Sequence, residues 1–119
     1  MERRSEVSEQ IELVRALKRA GLLYCAVPNG GRRGKREAIL LKASGTVAGV
    51  PDLLIFDAVG PYIGAAVEMK RAKGLPSNVS KVQKKWLAEL KERGWLCLVG
   101  YGAIDAVKKL TQAGYKITL

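Results

Sequence analysis

The sequence predicts an α/β fold: a mixed central β-sheet flanked by helices, built by one domain over residues 1–119. Three observations predict it. Short apolar runs bounded by Gly, Pro, Asn or charged clusters read as buried strands, among them "LLYCAV", "DLLIFDA" and "WLCLVGY". Segments with apolar residues near a 3.6-residue period read as helices. Strand and helix alternate through the second half, so the strands belong in a sheet covered by helices.

Residues 5–20 read as an amphipathic helix, with Val7, Ile11, Val14 and Leu17 near helical spacing. Ser5 caps its start and Gly21 ends it. "LLYCAV" follows as a strand, "PNGGRRGKRE" as a glycine-rich basic loop, "AILLKA" as a short helix and "SGTVAGVP" as a second loop. "DLLIFDA" is a strand, "GP" a turn and "YIGAAVEMKR" the hairpin partner. Beyond the loop "AKGLPSN", residues 79–93 form a helix with Val82, Trp86, Leu87 and Leu90 inward, stopped by Gly94. "WLCLVGY" is a buried strand, "AIDAVKKLTQA" a helix and "YKITL" a short final strand. Trp86 and Trp95 are expected in the core. There is no internal repeat and no low-complexity segment.

Lys and Arg outnumber Asp and Glu 21 to 11, a formal net charge of +10, which favours a polyanionic partner. The chain has no histidine, and its two cysteines, Cys25 and Cys97, sit singly in apolar runs as expected of buried free thiols. This composition excludes the usual zinc sites and any Ser-His or Cys-His nucleophile pair. Any metal must be held by oxygen, hence Mg²⁺, Mn²⁺ or Ca²⁺. No apolar run reaches transmembrane length and no signal peptide opens the chain, so a cytoplasmic protein without a membrane partner is expected.

Chemistry is concentrated in "AAVEMKRAKG", residues 65–74. Glu68 and Lys70 interrupt an apolar strand two residues apart, so they share one face. A plain same-face ion pair is one reading of them. Asp52 opens the partner strand directly after Gly49-Val50-Pro51, and a hairpin brings it to the same end of the sheet as Glu68. Pro51 fixes its own φ and keeps Val50 extended, which sets the direction in which Asp52 enters the sheet. Two carboxylates so close repel unless a cation lies between them. A divalent metal with Lys70 beside it, orienting a water or stabilising charge at a phosphate, accounts for all three residues. Asp57, at the far end of the strand, reads as a turn residue.

The constellation "GVPD" followed by "VEMK" resembles the PD-(D/E)XK nuclease superfamily. The stretch "VPNGGRRGKREAILLKASGTVAGVPDLLIF" resembles its VRR-NUC branch, whose small stand-alone members occur in phages and prophages. "SKVQKKWLAELKERGW" is similar to that branch's following helix and "AIDAVKKL" to its closing helix, so the resemblance spans almost the whole chain in order. It implies a restriction-endonuclease-like core. It also implies that Asp52, Glu68 and the Met69 carbonyl bind Mg²⁺ or Mn²⁺, that Lys70 holds the attacking water, and that Gln83 lines the site. The family carries an acid on the first helix. Glu6 precedes Gln10 by four, as in family members, and lies with Leu13 and Leu17 on the edge of the buried stripe, so Glu6 is the first choice, expected to join the metal directly or through water, and Glu9 the second.

The basic residues fit a DNA track. Arg32, Arg33, Lys35 and Arg36 share the loop with Asn29, Gly30 and Gly31. Lys42, Ser44 and Thr46 lead towards the site, and Lys73, Lys81, Lys84 and Lys85 follow the motif. Few aromatics interleave with these charges, which favours backbone recognition of duplex over single-strand stacking. The expected function is a metal-dependent DNA endonuclease, structure-selective and Holliday-junction-resolvase-like, phage- or prophage-encoded and acting in the bacterial host. A four-way junction has two-fold related strands, so a homodimer is expected. The alternative is a non-catalytic nucleic-acid-binding module that retains the nuclease fold; such a module is expected to lose one of Asp52, Glu68 and Lys70. An RNA-directed protein is a third reading that no RNA-recognition motif supports.

Overall fold

The computed structural model describes residues 5–28 and 34–119. Its elements are α1 (Glu6–Arg19), β1 (Tyr24–Ala26), α2 (Lys35–Ala43), β2 (Leu53–Ile55), β3 (Ala65–Lys70), α3 (Lys81–Glu92), β4 (Leu96–Tyr101) and α4 (Gly102–Ala113), with a 3₁₀ turn at Pro76–Asn78. The strands form one sheet in the order β1-β2-β3-β4. The first two pairings are antiparallel and β3–β4 is parallel, which is the mixed sheet expected. The β2–β3 connection reverses at Gly60-Pro61, where Val59 and Tyr62 exchange backbone hydrogen bonds of 3.1 and 2.9 Å.

All six residues of β3 are buried, which suits a central strand covered on both faces. Strand alternation divides them. Ala65, Val67 and Met69 enter the apolar core with Leu13, Ala16 and Leu17 of α1 and Ala103, Ala106 and Leu110 of α4. Ala66, Glu68 and Lys70 therefore face the other side, where α3 lies. The two sides differ in kind: α3 has no fully buried residue, so its side of the sheet is a partly open polar layer rather than a second core.

Several expectations are corrected. The buried stripe of α1 is Glu9, Leu13, Ala16 and Leu17, while Val7 and Ile11 stand 65% and 48% exposed. Counting only apolar residues misplaced the stripe because a glutamate occupies one of its positions. Val82 is exposed rather than inward. Trp86 and Trp95 are half-buried; Trp86 donates from its indole nitrogen to the Ala48 carbonyl at 3.1 Å, and Trp95 meets Phe56 edge-on. Both thiols are free, but Cys25 is exposed because β1 is an edge strand, and Cys97 is half-buried.

Residues 115–119 form no strand. Tyr115 and Ile117 instead insert into the core, and the Tyr115 hydroxyl donates to the Asp57 carbonyl at 2.6 Å. At the edge strand β4, Lys109 donates to the Val99 carbonyl (2.7 Å) and Asp105 accepts from the Tyr101 N–H (2.9 Å). Those side chains occupy positions that a fifth strand would need.

Candidate active site

The register of β2 on β3 positions the two carboxylates. Leu53 stands opposite Val67, so Asp52, one residue earlier, falls beside Glu68, one residue later. Pro51 is buried and delivers the chain into that position. Asp52 Oδ2 accepts the Met69 N–H at 2.7 Å. In an extended strand the N–H and C=O of one residue point to the same edge, so the Met69 carbonyl also faces the side where Asp52 stands.

Glu68 is 2% and Lys70 8% exposed, and Lys70 Nζ lies 3.8 Å from Glu68 Oε2. Gln83, on the first turn of α3, bridges them. Its Oε1 accepts from Lys70 Nζ at 3.3 Å and its Nε2 donates to Glu68 Oε2 at 3.2 Å. The same Oε1 accepts the Ser80 N–H at 2.9 Å, while Ser80 Oγ accepts the Gln83 N–H at 3.2 Å. This reciprocal capping box starts α3 and fixes which end of the Gln83 amide faces Lys70.

Burial is the first reason the Glu68 carboxyl is pushed up to about 9; the Asp52 carboxyl beside it and the nearby Glu6 charge push the same way, and Lys70 opposes them. Burial and the neighbouring acid thus make the charged form of Glu68 costly while no cation is bound. Its Oε1 is buried with no hydrogen-bond partner. An orphaned buried carboxylate oxygen beside a second carboxylate is a poor arrangement for stability. It is a suitable one for a hard divalent cation, since every donor here is oxygen. Among the described residues no group of three His, Cys, Asp or Glu side chains converges, so Glu6 does not stand as a third direct donor, and the oxygens that fit an ion are those of two carboxylates and the backbone. Mg²⁺ tolerates that, because it keeps several waters.

The two candidate acids of α1 separate. Glu6 is exposed, yet close enough for its charge to act on Glu68. Glu9 is 5% exposed and turns to α4, where its Oε1 accepts the Ala103 N–H at 3.4 Å. A carboxylate at a helix N-terminus is favourable. Gly102 makes room for it: its φ is +86°, and a Cβ there would meet Glu9 Oε2 at 3.0 Å.

Lys35, Arg36, Lys42, Ser44, Lys73 and Lys81 are all exposed. Arg32 and Arg33 lie outside the described residues. α2 extends the predicted helix back to Lys35 and carries Arg36 and Lys42 with it. Ser44 Oγ donates to the Leu41 carbonyl and closes the C-terminal end of that helix. Asp57 is a structural clasp: its Oδ1 accepts the Leu23 N–H at 2.6 Å. Sequence reasoning passed over Ser80, although the spacing Ser-x-x-Gln ahead of a helix is itself a capping-box signal. It also passed over the structural role of Glu9.

Comparison with protein families matches residues 4–103 to the VRR-NUC domain. Among solved structures, a chain named "VRR_NUC domain protein" is similar to this one with a TM-score of 0.76 and 22% identity, over 94% of this chain and 89% of that chain. At that identity the likeness speaks for the fold. No curated protein matches the chain. The family match runs from the start of α1 into α4 and takes in every residue of the site, and the chain therefore belongs to the VRR-NUC domain family, nuclease-fold domains that act on DNA.

Proposed function

We propose that the protein is a metal-dependent DNA endonuclease that hydrolyses phosphodiester bonds at structured DNA, with Asp52, Glu68 and the Met69 carbonyl holding Mg²⁺ or Mn²⁺. The observation that carries this reading is the orphaned Glu68 Oε1, buried beside Asp52 and two residues from Lys70 on the same strand face. Bound there, the ion supplies positive charge against the phosphate and lowers the pKa of water.

The chain's own residues supply the rest. Lys70 donates to the attacking water or to the developing phosphate charge. Gln83 holds Lys70 and Glu68 at fixed separation. Glu6 stands near enough to orient a water of the ion's shell. Lys35, Arg36, Lys42, Lys73 and Lys81, together with Arg32 and Arg33, track the DNA backbone; Ser44 lies on the same path. A homodimer would pair two such sites on the two-fold related strands of a four-way junction.

The test is cleavage of end-labelled four-way junction, flap and linear duplex in Mg²⁺, Mn²⁺ or EDTA. Metal-dependent cuts, strongest on the branched substrates, are expected. Tight binding with no cut in either metal would instead identify a binding module. The mass in solution with and without junction DNA tests the dimer.

A further inference from the structure

α2 and the loop after it face the first turn of α3 across a groove of about 710 Å³. Ala38 and Leu41 line one wall, with Val47 from the loop and Val82 from α3 opposite. Among the described residues, Lys42 is the cation that lines the groove, and no Asp or Glu lines it. Gln83 closes one end, and the same amide touches Lys70 and Glu68, so the groove opens directly beside the candidate active site.

Several features show that this is not unfilled core. α2 has no buried residue, and Val47 and Val82 are each 47% exposed. The apolar walls are therefore open to a ligand at the edge of the charged centre. Gly49 seats the loop against α3: its φ is +88°, and a Cβ there would collide with Val82. The groove's width is thus set by a position that only glycine fills. Its size lies within the range of about 300–1,000 Å³ for small-ligand sites.

We propose that this groove receives one unpaired nucleotide flanking the scissile phosphate, with its base against Ala38, Leu41, Val47 and Val82 and its phosphate on Lys42. The proposal rests on the nuclease reading above and names the feature of the DNA that the enzyme reads. A base inside a duplex is stacked and paired and cannot enter a lateral groove. An unpaired base at a bulge, flap or branch point enters without the energy of unpairing. The aliphatic walls take any base, the polar groups of Lys42, Thr46, Ser80 and Gln83 also line the groove, and the selectivity proposed is for an extrahelical nucleotide rather than for sequence. The apolar walls suit the base, and the cationic rim suits its phosphate.

The experiment uses duplexes carrying one 2-aminopurine, either bulged or paired, titrated with wild-type protein in EDTA. Ala38→Trp fills the groove from an exposed helix position, and Val47→Trp fills it from the loop; circular dichroism checks that both fold. The expected result is a fluorescence change for the bulged probe alone and roughly tenfold tighter binding of bulged over plain duplex, a difference of about 1.4 kcal/mol. Both tryptophan variants are expected to lose the preference while binding plain duplex as before.

Equal affinities with no fluorescence change would overturn the proposal, and so would variants that keep the preference. Variants that shift a dimer to monomer would also overturn it, by showing that a second copy fills the groove. Failure of the nuclease reading registers separately: no strand is cut with any metal although the bulged probe still responds.

Discussion

Lys70 Nζ stands 3.8 Å from Glu68 Oε2 on one face of β3, beyond direct hydrogen-bond reach, with the Gln83 amide spanning the gap. A pair kept for stability would close that distance and satisfy both carboxylate oxygens. Here Glu68 Oε1 is left without a hydrogen-bond partner. The arrangement leaves room for further ligands around Glu68, as a metal site requires.

Glu68 makes the metal-free protein pH-sensitive. Its folded pKa, about 9, lies above the ordinary value of 4.5 for a glutamate. The stability it contributes is therefore full below pH 4.5 and is lost as pH rises through 9. In EDTA, wild-type melting temperature is expected to fall between pH 6 and pH 9 more than that of Glu68→Gln, with Mg²⁺ restoring part of the wild-type loss. Identical profiles for the two proteins would show that Glu68 does not carry this strain.

The two acids of α1 are expected to separate by property. Glu9→Ala removes a buried carboxylate from the start of α4 and should lower stability by about 1–3 kcal/mol. Glu6→Ala, at an exposed position, should stay within about 0.5 kcal/mol of wild type and should slow cleavage. Chemical denaturation together with single-turnover cleavage reads both. The reverse pattern would make Glu9 the acid of the site.

Ser80 acts through Gln83. Ser80→Ala removes the hydroxyl that accepts the Gln83 N–H, at about 1 kcal/mol, and loosens the first turn of α3, from which the Gln83 amide reaches Lys70. Cleavage should slow severalfold at saturating DNA with little change in DNA affinity, and Ser80→Thr should recover both stability and rate. A stability loss without a change in rate would confine Ser80 to capping.

Much of this site was legible because strand arithmetic is rigid. Glu68 and Lys70 share a face by the two-residue period, and the hairpin brings Asp52 alongside whatever the exact strand ends. Helix faces were less legible. The stripe of α1 includes Glu9, which no apolar count finds, because its burial depends on α4, far away in sequence. Val82 looked inward by periodicity, but α3 covers a polar layer and only half-buries its apolar residues. "YKITL" has strand composition, yet Tyr115 finds Asp57 and the core instead of an edge. The groove beside Gln83 was not visible in the sequence at all, since its walls come from α2, a loop and α3.

The DNA track predicts a salt signature. Charge-removing substitutions at Lys42 or Lys81 should each weaken binding of all DNAs and reduce the slope of log affinity against log salt by about 1. Fluorescence anisotropy over a salt series measures this. An unchanged slope would place these lysines off the DNA path.

Lys70 and the Asp52–Glu68 pair are proposed to meet at one end of the sheet in order to act on one phosphate. Single-turnover cleavage of junction DNA by wild type and Lys70→Ala, each in Mg²⁺, Mn²⁺ and EDTA, tests this most directly. Wild type is expected to cut only with metal, and the variant to lose about 10²–10³-fold while keeping DNA binding and melting temperature. Cutting by Lys70→Ala at the wild-type rate, or wild-type cutting undiminished in EDTA, would contradict it.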